Sequence, residues 1–171
     1  MTIGNPRLKC IFSLFFCISL SPWFNWHENA ISDLGNCIYS PVAPDNLTIL
    51  IAGFILAFLS LCVLYEQDKL SGYSLATSDF LLQVVGAFDE VYGALHYAAA
   101  VLFFVSLQVS LLIYSTRRKS ISALAAFIVG LSTWILYWAG VFSIAVSEMG
   151  PVAVVSAWIF RKAFFAVKKS S

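Results

Sequence analysis

The chain has only two histidines, and both lie in short polar stretches beside carboxylates. His27 stands in Trp26-His27-Glu28-Asn29-Ala30-Ile31-Ser32-Asp33-Leu34-Gly35-Asn36, and His96 closes Gly86-Ala87-Phe88-Asp89-Glu90-Val91-Tyr92-Gly93-Ala94-Leu95-His96. Imidazole and carboxylate together can move protons in general acid–base catalysis or ligate a transition metal. Glu148 is a third acidic candidate, on an apolar run just after Ser147. Asp33, His96 and Glu148 therefore form the candidate acid–base cluster, with Ser32 and His27 beside it. The same three side chains are the ligands if a metal is bound; nothing in the sequence specifies a cofactor. A structural reading competes at each position. Asp and Asn cap turns, Ser32-Asp33-Leu34-Gly35 is ordinary turn chemistry, Asp89 and Glu90 solvate an interhelical turn, and Glu148 can cap a hairpin.

A second polar feature runs through an apolar stretch. Asp79, Gln83, Gly86 and Glu90 recur at i, i+4, i+7 and i+11, a single helix face. At 1.5 Å of rise per residue, Gln108 falls roughly 18 Å below His96, close to the depth of Asp79. An Asp79–Gln108 hydrogen bond, worth on the order of 1 kcal/mol, is the structural expectation. A proton or ion relay through Asp79 is the functional alternative.

These residues must be positioned by helices that cross a membrane. Of 171 residues 60% are hydrophobic and 11% charged, well below the quarter or so charged in a soluble domain. Apolar runs near 8–26, 47–65, 73–88, 95–114, 121–141 and 144–160 read as six transmembrane helices. The third is short and carries Asp79 and Gln83; the last two form a hairpin about Gly140–Ser143. The expectation is an all-α polytopic bundle, one integral membrane domain over residues 1–171, in the cell membrane with both termini cytoplasmic. Charge supports the orientation. With the N-terminus inside, all ten Lys and Arg fall on the cytoplasmic side. Glu28, Asp33, Asp45, Asp89, Glu90 and Glu148 gather on the other. Arg7 and Lys9 ahead of the first run also suit a signal peptide, but Ser-Pro-Trp-Phe-Asn-Trp offers no small-residue cleavage site.

The four cysteines show no metal-type spacing, and only Cys37 lies outside an apolar run, so no intrachain disulfide is expected. Asn46-Leu47-Thr48 matches the glycosylation pattern but abuts the second span. The basic, aromatic tail from Arg161 to Lys169 suits anionic headgroups. Membrane lipid is the expected partner, a protein partner or homo-oligomer is compatible, and no basic surface suggests nucleic acid.

Three stretches in order carry a family resemblance. Asn29-Ala30-Ile31-Ser32-Asp33-Leu34-Gly35-Asn36, then Gly86-Ala87-Phe88-Asp89-Glu90 with Gly93-Ala94-Leu95-His96-Tyr97, then Ser147-Glu148 before a helix containing Trp158 resemble the domain of unknown function 998 family. The resemblance covers nearly the whole chain. It implies a prokaryotic, mainly archaeal, six-span membrane protein and no particular reaction. Family members often carry Pro where Asp89 stands, so Ser32, Asp33, His96 and Glu148 are the matching residues. Three functions suit this pattern: an enzyme acting on lipid or lipid-linked substrate at the extracytoplasmic face, a small transporter or channel component using Asp79 and Gln83, or a non-catalytic scaffold.

Overall fold

The apolar runs fold as helices, and their boundaries follow from caps and turns. The computed structural model describes residues 18, 21–36 and 44–170, with side chains described up to 165 and excepting those of 44 and 45. It contains α1 (Pro44–Leu59), α2 (Lys69–Ala87), α3 (Ala94–Arg117), α4 (Ile121–Trp138) and α5 (Ile144–Ser170). A π-turn at Ser60–Leu64 extends α1, and 3-10 turns form at Ile31–Gly35 and Glu90–Tyr92. Among the described residues there is no strand.

Local chemistry sets the ends. The Asp68 carboxylate accepts from the Ser71 N–H at 3.0 Å and starts α2. Ser120 caps α4 through the Ala123 N–H in the same way. Gly93 (φ +54°) and Gly140 (φ +73°) hold the left-handed conformations that enter α3 and end α4. The second to sixth expected spans thus correspond to α1–α5. The first, placed at 8–26, lies mostly outside the described residues, and its expected end is corrected: Ser21–Trp26 forms turns. Pro22 supplies no N–H to continue a helix there.

Four helical segments are long and apolar enough to cross a membrane: Asn46–Leu64, Ala94–Arg117, Ile121–Trp138 and Ile144–Phe165. The expected third span does not join them. Helix α2 is 19 residues long, but Ser71, Ser74, Thr77, Ser78, Asp79 and Gln83 dilute it. It packs as the central helix between α1 and α3, burying Leu75, Ser78, Asp79, Leu82 and Val85. The fit at its base is close: a Cβ on Gly72 would stand 2.6 Å from the Tyr65 backbone.

Around this centre, α1, α3 and α5 contribute Leu56, Phe103, Leu107, Leu111, Val155 and Ile159 to one apolar core. Their outward faces are apolar too. Phe54 and Phe58 on α1 are 66% and 60% exposed, Leu102 on α3 57%, and Ile128 and Ile135 on α4 55% and 53%. Helices apolar on both faces are membrane helices rather than surface helices of a soluble domain. Serines tie them internally. Ser78 and Ser110 hydroxyls lie 3.0 Å apart, and the Ser147 hydroxyl donates to the Thr133 carbonyl at 3.1 Å.

The expected Asp79–Gln108 bond does not form. Asp79 Oδ2 lies 2.7 Å from Ser60 Oγ on the opposite neighbour, α1. Gln108 turns towards α4, where Gly130 has no side chain to displace it, and its buried amide atoms have no hydrogen-bond partner among the described residues. Equal depth in the bundle did not mean the same face.

The antiparallel order gives the bundle two chemically different ends. Lys69, Arg117, Arg118, Lys119, Arg161 and Lys162 lie at one end. The Ile31–Gly35 turn, the α2–α3 turn and the α4–α5 turn meet at the other.

Candidate functional site

The carboxylate end is organised by the Ile31–Gly35 turn, which three separate parts of the chain hold in place. Glu148, near the start of α5, accepts from the Ile31 N–H at 2.8 Å and from the Ser32 N–H at 3.4 Å through Oε2. Those N–H groups open a 3-10 turn and have no partner within it. Asn46, in the first turns of α1, donates to the Gly35 carbonyl at 2.8 Å. Asn36 donates to Glu90 Oε2 at 3.1 Å across to the turn before α3. Within its own segment, Asp33 Oδ2 accepts from the Ala30 N–H at 2.9 Å and from Asn29 Nδ2 at 3.2 Å.

So fixed, the Asp33 carboxyl stands beside that of Glu90. Burial first, then the neighbouring Asp33 carboxyl, raise the Glu90 carboxyl above its ordinary range; Asn36 and the nearby His96 oppose that in part. No Lys or Arg occurs between Lys9 and Lys69, between Lys69 and Arg117, or between Lys119 and Arg161. No cation from these segments neutralises the pair.

His96, in the first turns of α3, is 8% exposed. Its Nδ1 lies 2.7 Å from the Phe88 carbonyl oxygen. A carbonyl only accepts, so Nδ1 carries a hydrogen in this contact, and Nε2 is the ring nitrogen left for a different partner. The Gly93 turn makes this possible by folding the start of α3 back over Phe88.

Of the residues singled out from sequence, Asp33, His96 and Glu148 are gathered around Glu90. Ser32 contributes its backbone N–H to Glu148. His27 is not part of the group: it is exposed on the preceding turn, and its own backbone N–H donates to Asn25 Oδ1 at 3.0 Å. Glu148 does not cap the α4–α5 hairpin; it caps a turn 117 residues earlier in the chain. Glu90 and Asn36 were missed as site residues. Their pairing spans 54 positions, and the only hint was the place of Glu90 on the polar face of Asp79, Gln83 and Gly86. Among the described residues, no three His, Cys, Asp or Glu side chains are close enough to hold a metal ion. What the arrangement can do is move protons: a carboxyl that holds its proton more tightly than usual and an imidazole lie in one half-buried group.

The cationic end has the opposite character. Asp68 takes Arg117 in a forked ion pair, with N···O distances of 2.7–2.9 Å, while also capping α2. Arg117 and Ser71 hold its carboxyl well below the ordinary range. The Tyr114 hydroxyl donates to Gln67 at 2.7 Å, and Lys162 lies 5.2 Å over the Tyr114 ring.

A family model described as protein of unknown function (DUF998) matches residues 10–163. No curated protein and no solved structure matches the chain.

Proposed function

The chain belongs to the DUF998 family, and we propose that it is a six-span membrane enzyme using Glu90, Asp33 and His96 for acid–base chemistry at the extracytoplasmic face. The substrate class is lipid or lipid-linked. The observation that carries this reading is the Glu90 carboxyl, bonded to Asn36 and raised by burial and its neighbour Asp33, in one group with a histidine whose Nδ1 is committed to the Phe88 carbonyl. In a turnover, His96 Nε2 takes the proton of an attacking hydroxyl or water, and Glu90 gives its proton to the departing oxygen. Asp33 holds the Glu90 proton in place beforehand. Glu148 is a positioning residue, since its contact is with the backbone that carries Asp33.

Orientation follows from the placement of cations at the other end, which the positive-inside rule assigns to the cytoplasm. Both termini are then cytoplasmic, the bilayer is the cell membrane, and the acid–base group opens at the outer leaflet, where lipid headgroups are within reach. A metal-independent reaction suits the spacing of the acidic groups better than a Asp33–His96–Glu148 metal centre.

The test is turnover of lipid by the purified protein in vesicles of the host's lipids, followed by lipid mass spectrometry. Wild type consumes a lipid species; His96→Gln and Glu90→Gln slow that consumption by about 10²–10⁴-fold without loss of the folded bundle. Full turnover by both variants would exclude the acid–base assignment. No lipid consumed by wild type, with the same variants harmless in the cell, would favour a scaffold in which Asp33 and Glu148 serve only to tie helices together.

A further inference from the structure

The bundle holds a second carboxyl, remote from the Asp33–Glu90 pair. Asp79 lies on α2 and is 2% exposed. Among the described residues, Ser60, in the π-turn that extends α1, contacts its carboxyl, and the small cavity it borders is lined by Leu56 from α1, Phe103 and Leu107 from α3, and Val152 and Ser156 from α5. None of these carries a charge or titrates. The one ion pair among the described residues is Asp68–Arg117, at the cationic end.

Hydrogen counting constrains Asp79. Ser60 Oγ lies 2.8 Å from the Leu56 carbonyl oxygen and 2.7 Å from Asp79 Oδ2. A serine hydroxyl has one hydrogen, and a carbonyl has none to give. When Ser60 donates to Leu56, the contact with Asp79 requires a hydrogen on the carboxyl. When Asp79 is ionised, Ser60 turns its hydrogen to the carboxylate instead. One hydroxyl therefore serves both states, and neither leaves the short Ser60–Asp79 contact without a hydrogen. An ionised carboxylate with no cation in an apolar bundle is the costlier state.

Two further features sit at the same place. A cavity of about 10 Å³ borders Asp79 and Ser156, which is near the smallest space that takes one water molecule. The π-turn begins at Ser60, with the Tyr65 N–H donating to the Ser60 carbonyl at 3.1 Å. Such turns are frequent at functional sites in helices.

We propose that Asp79 is a proton-binding site in the bundle core, a carboxylic acid that donates to Ser60 Oγ and exchanges its proton with a single water in the adjoining cavity. On release, the Asp79 O–H bond breaks and the water becomes hydronium. Ser60 then swings its hydrogen from Leu56 to the carboxylate, and no other reactant is needed. This site does not depend on the acid–base reading of Asp33, Glu90 and His96.

Infrared spectroscopy of the full-length protein in lipid nanodiscs tests it. Wild type shows a protonated-carboxyl C=O band that is lost in Asp79→Asn and retained in Glu90→Gln. Ser60→Ala keeps Asp79 but removes its acceptor, and shifts that band to higher frequency. A wild-type spectrum with no band sensitive to either Asp79→Asn or Ser60→Ala overturns the proposal. If Asp79→Asn fails to fold, the Ser60→Ala shift alone decides: an unmoved band overturns it.

Discussion

The two ends of the bundle each hold carboxylates, and they hold them in opposite ways. At the cationic end, Asp68 faces Arg117 and two Ser71 donors, so its charge is matched. At the other end, Glu90 faces Asp33 with Glu148 nearby, and the neutral Asn36 amide, then His96, relieve it only in part. The first arrangement is what a structural cap needs. The second costs stability, because like groups are brought together and partly removed from water. A chain that needed only to close that end could do so with Asn36 and Asn46 alone. Uncompensated carboxyls beside an imidazole are the feature expected where protons must move.

Several substitutions sharpen the contrast. The largest structural effect belongs to Glu148→Ala, which strips the acceptor from the Ile31 and Ser32 N–H groups. Thermal unfolding in detergent should show a loss of about 1–3 kcal/mol, the usual cost of orphaned buried donors. Glu148→Gln keeps an acceptor and should retain most of that stability; equal loss in both variants would mean that charge rather than the hydrogen bond matters there. Asn46→Ala removes the bond to Gly35 and should cost about 1 kcal/mol. An unchanged melting point in that variant would show that α1 does not brace the turn. Arg117→Ala at the cationic end should have the smallest effect. Its guanidinium is half-exposed, so the loss should be slight at low salt and vanish at high salt. A salt-independent loss would make the cationic end more than a surface clasp.

Acid distinguishes the ends further. The Asp68 carboxyl is depressed in the folded protein, so its contribution to stability is present above the unfolded value, about 3.9, and is lost as pH falls below it. Asp68→Asn should therefore flatten the acid limb of the stability profile, as followed by unfolding at a series of pH values. An acid limb that survives the substitution would place the acid sensitivity elsewhere.

Much of this organisation is legible in the sequence. Long apolar runs and the grouping of Lys and Arg locate α1, α3, α4 and the start of α5 within a few residues and sort the two ends, while α5 continues to Ser170, past the expected limit at 160. The Ile31–Gly35 and Phe88–His96 stretches are visible as polar islands because little else in the chain is polar. Three things are not visible. Helix rise gives depth but not azimuth, so Asp79 is matched by depth to Gln108 although its partner is Ser60. The pairing of Glu90 with Asp33 and Asn36 depends on how the turns pack, and no local pattern encodes it. His27 has the right residue type in the right loop, yet the turn at Asn25–Asn29 leaves it exposed.

The most direct measurement is the unfolding stability of wild type and Glu90→Gln as a function of pH. Glu90 holds its proton more tightly folded than unfolded, so the folded state binds more protons than the unfolded state above about 4.3, the ordinary glutamate value. Wild-type stability should then fall as pH rises from that value through the raised folded value, relative to Glu90→Gln, which lacks the titration. Parallel profiles for the two proteins across that window would contradict a Glu90 carboxyl raised by burial and by Asp33.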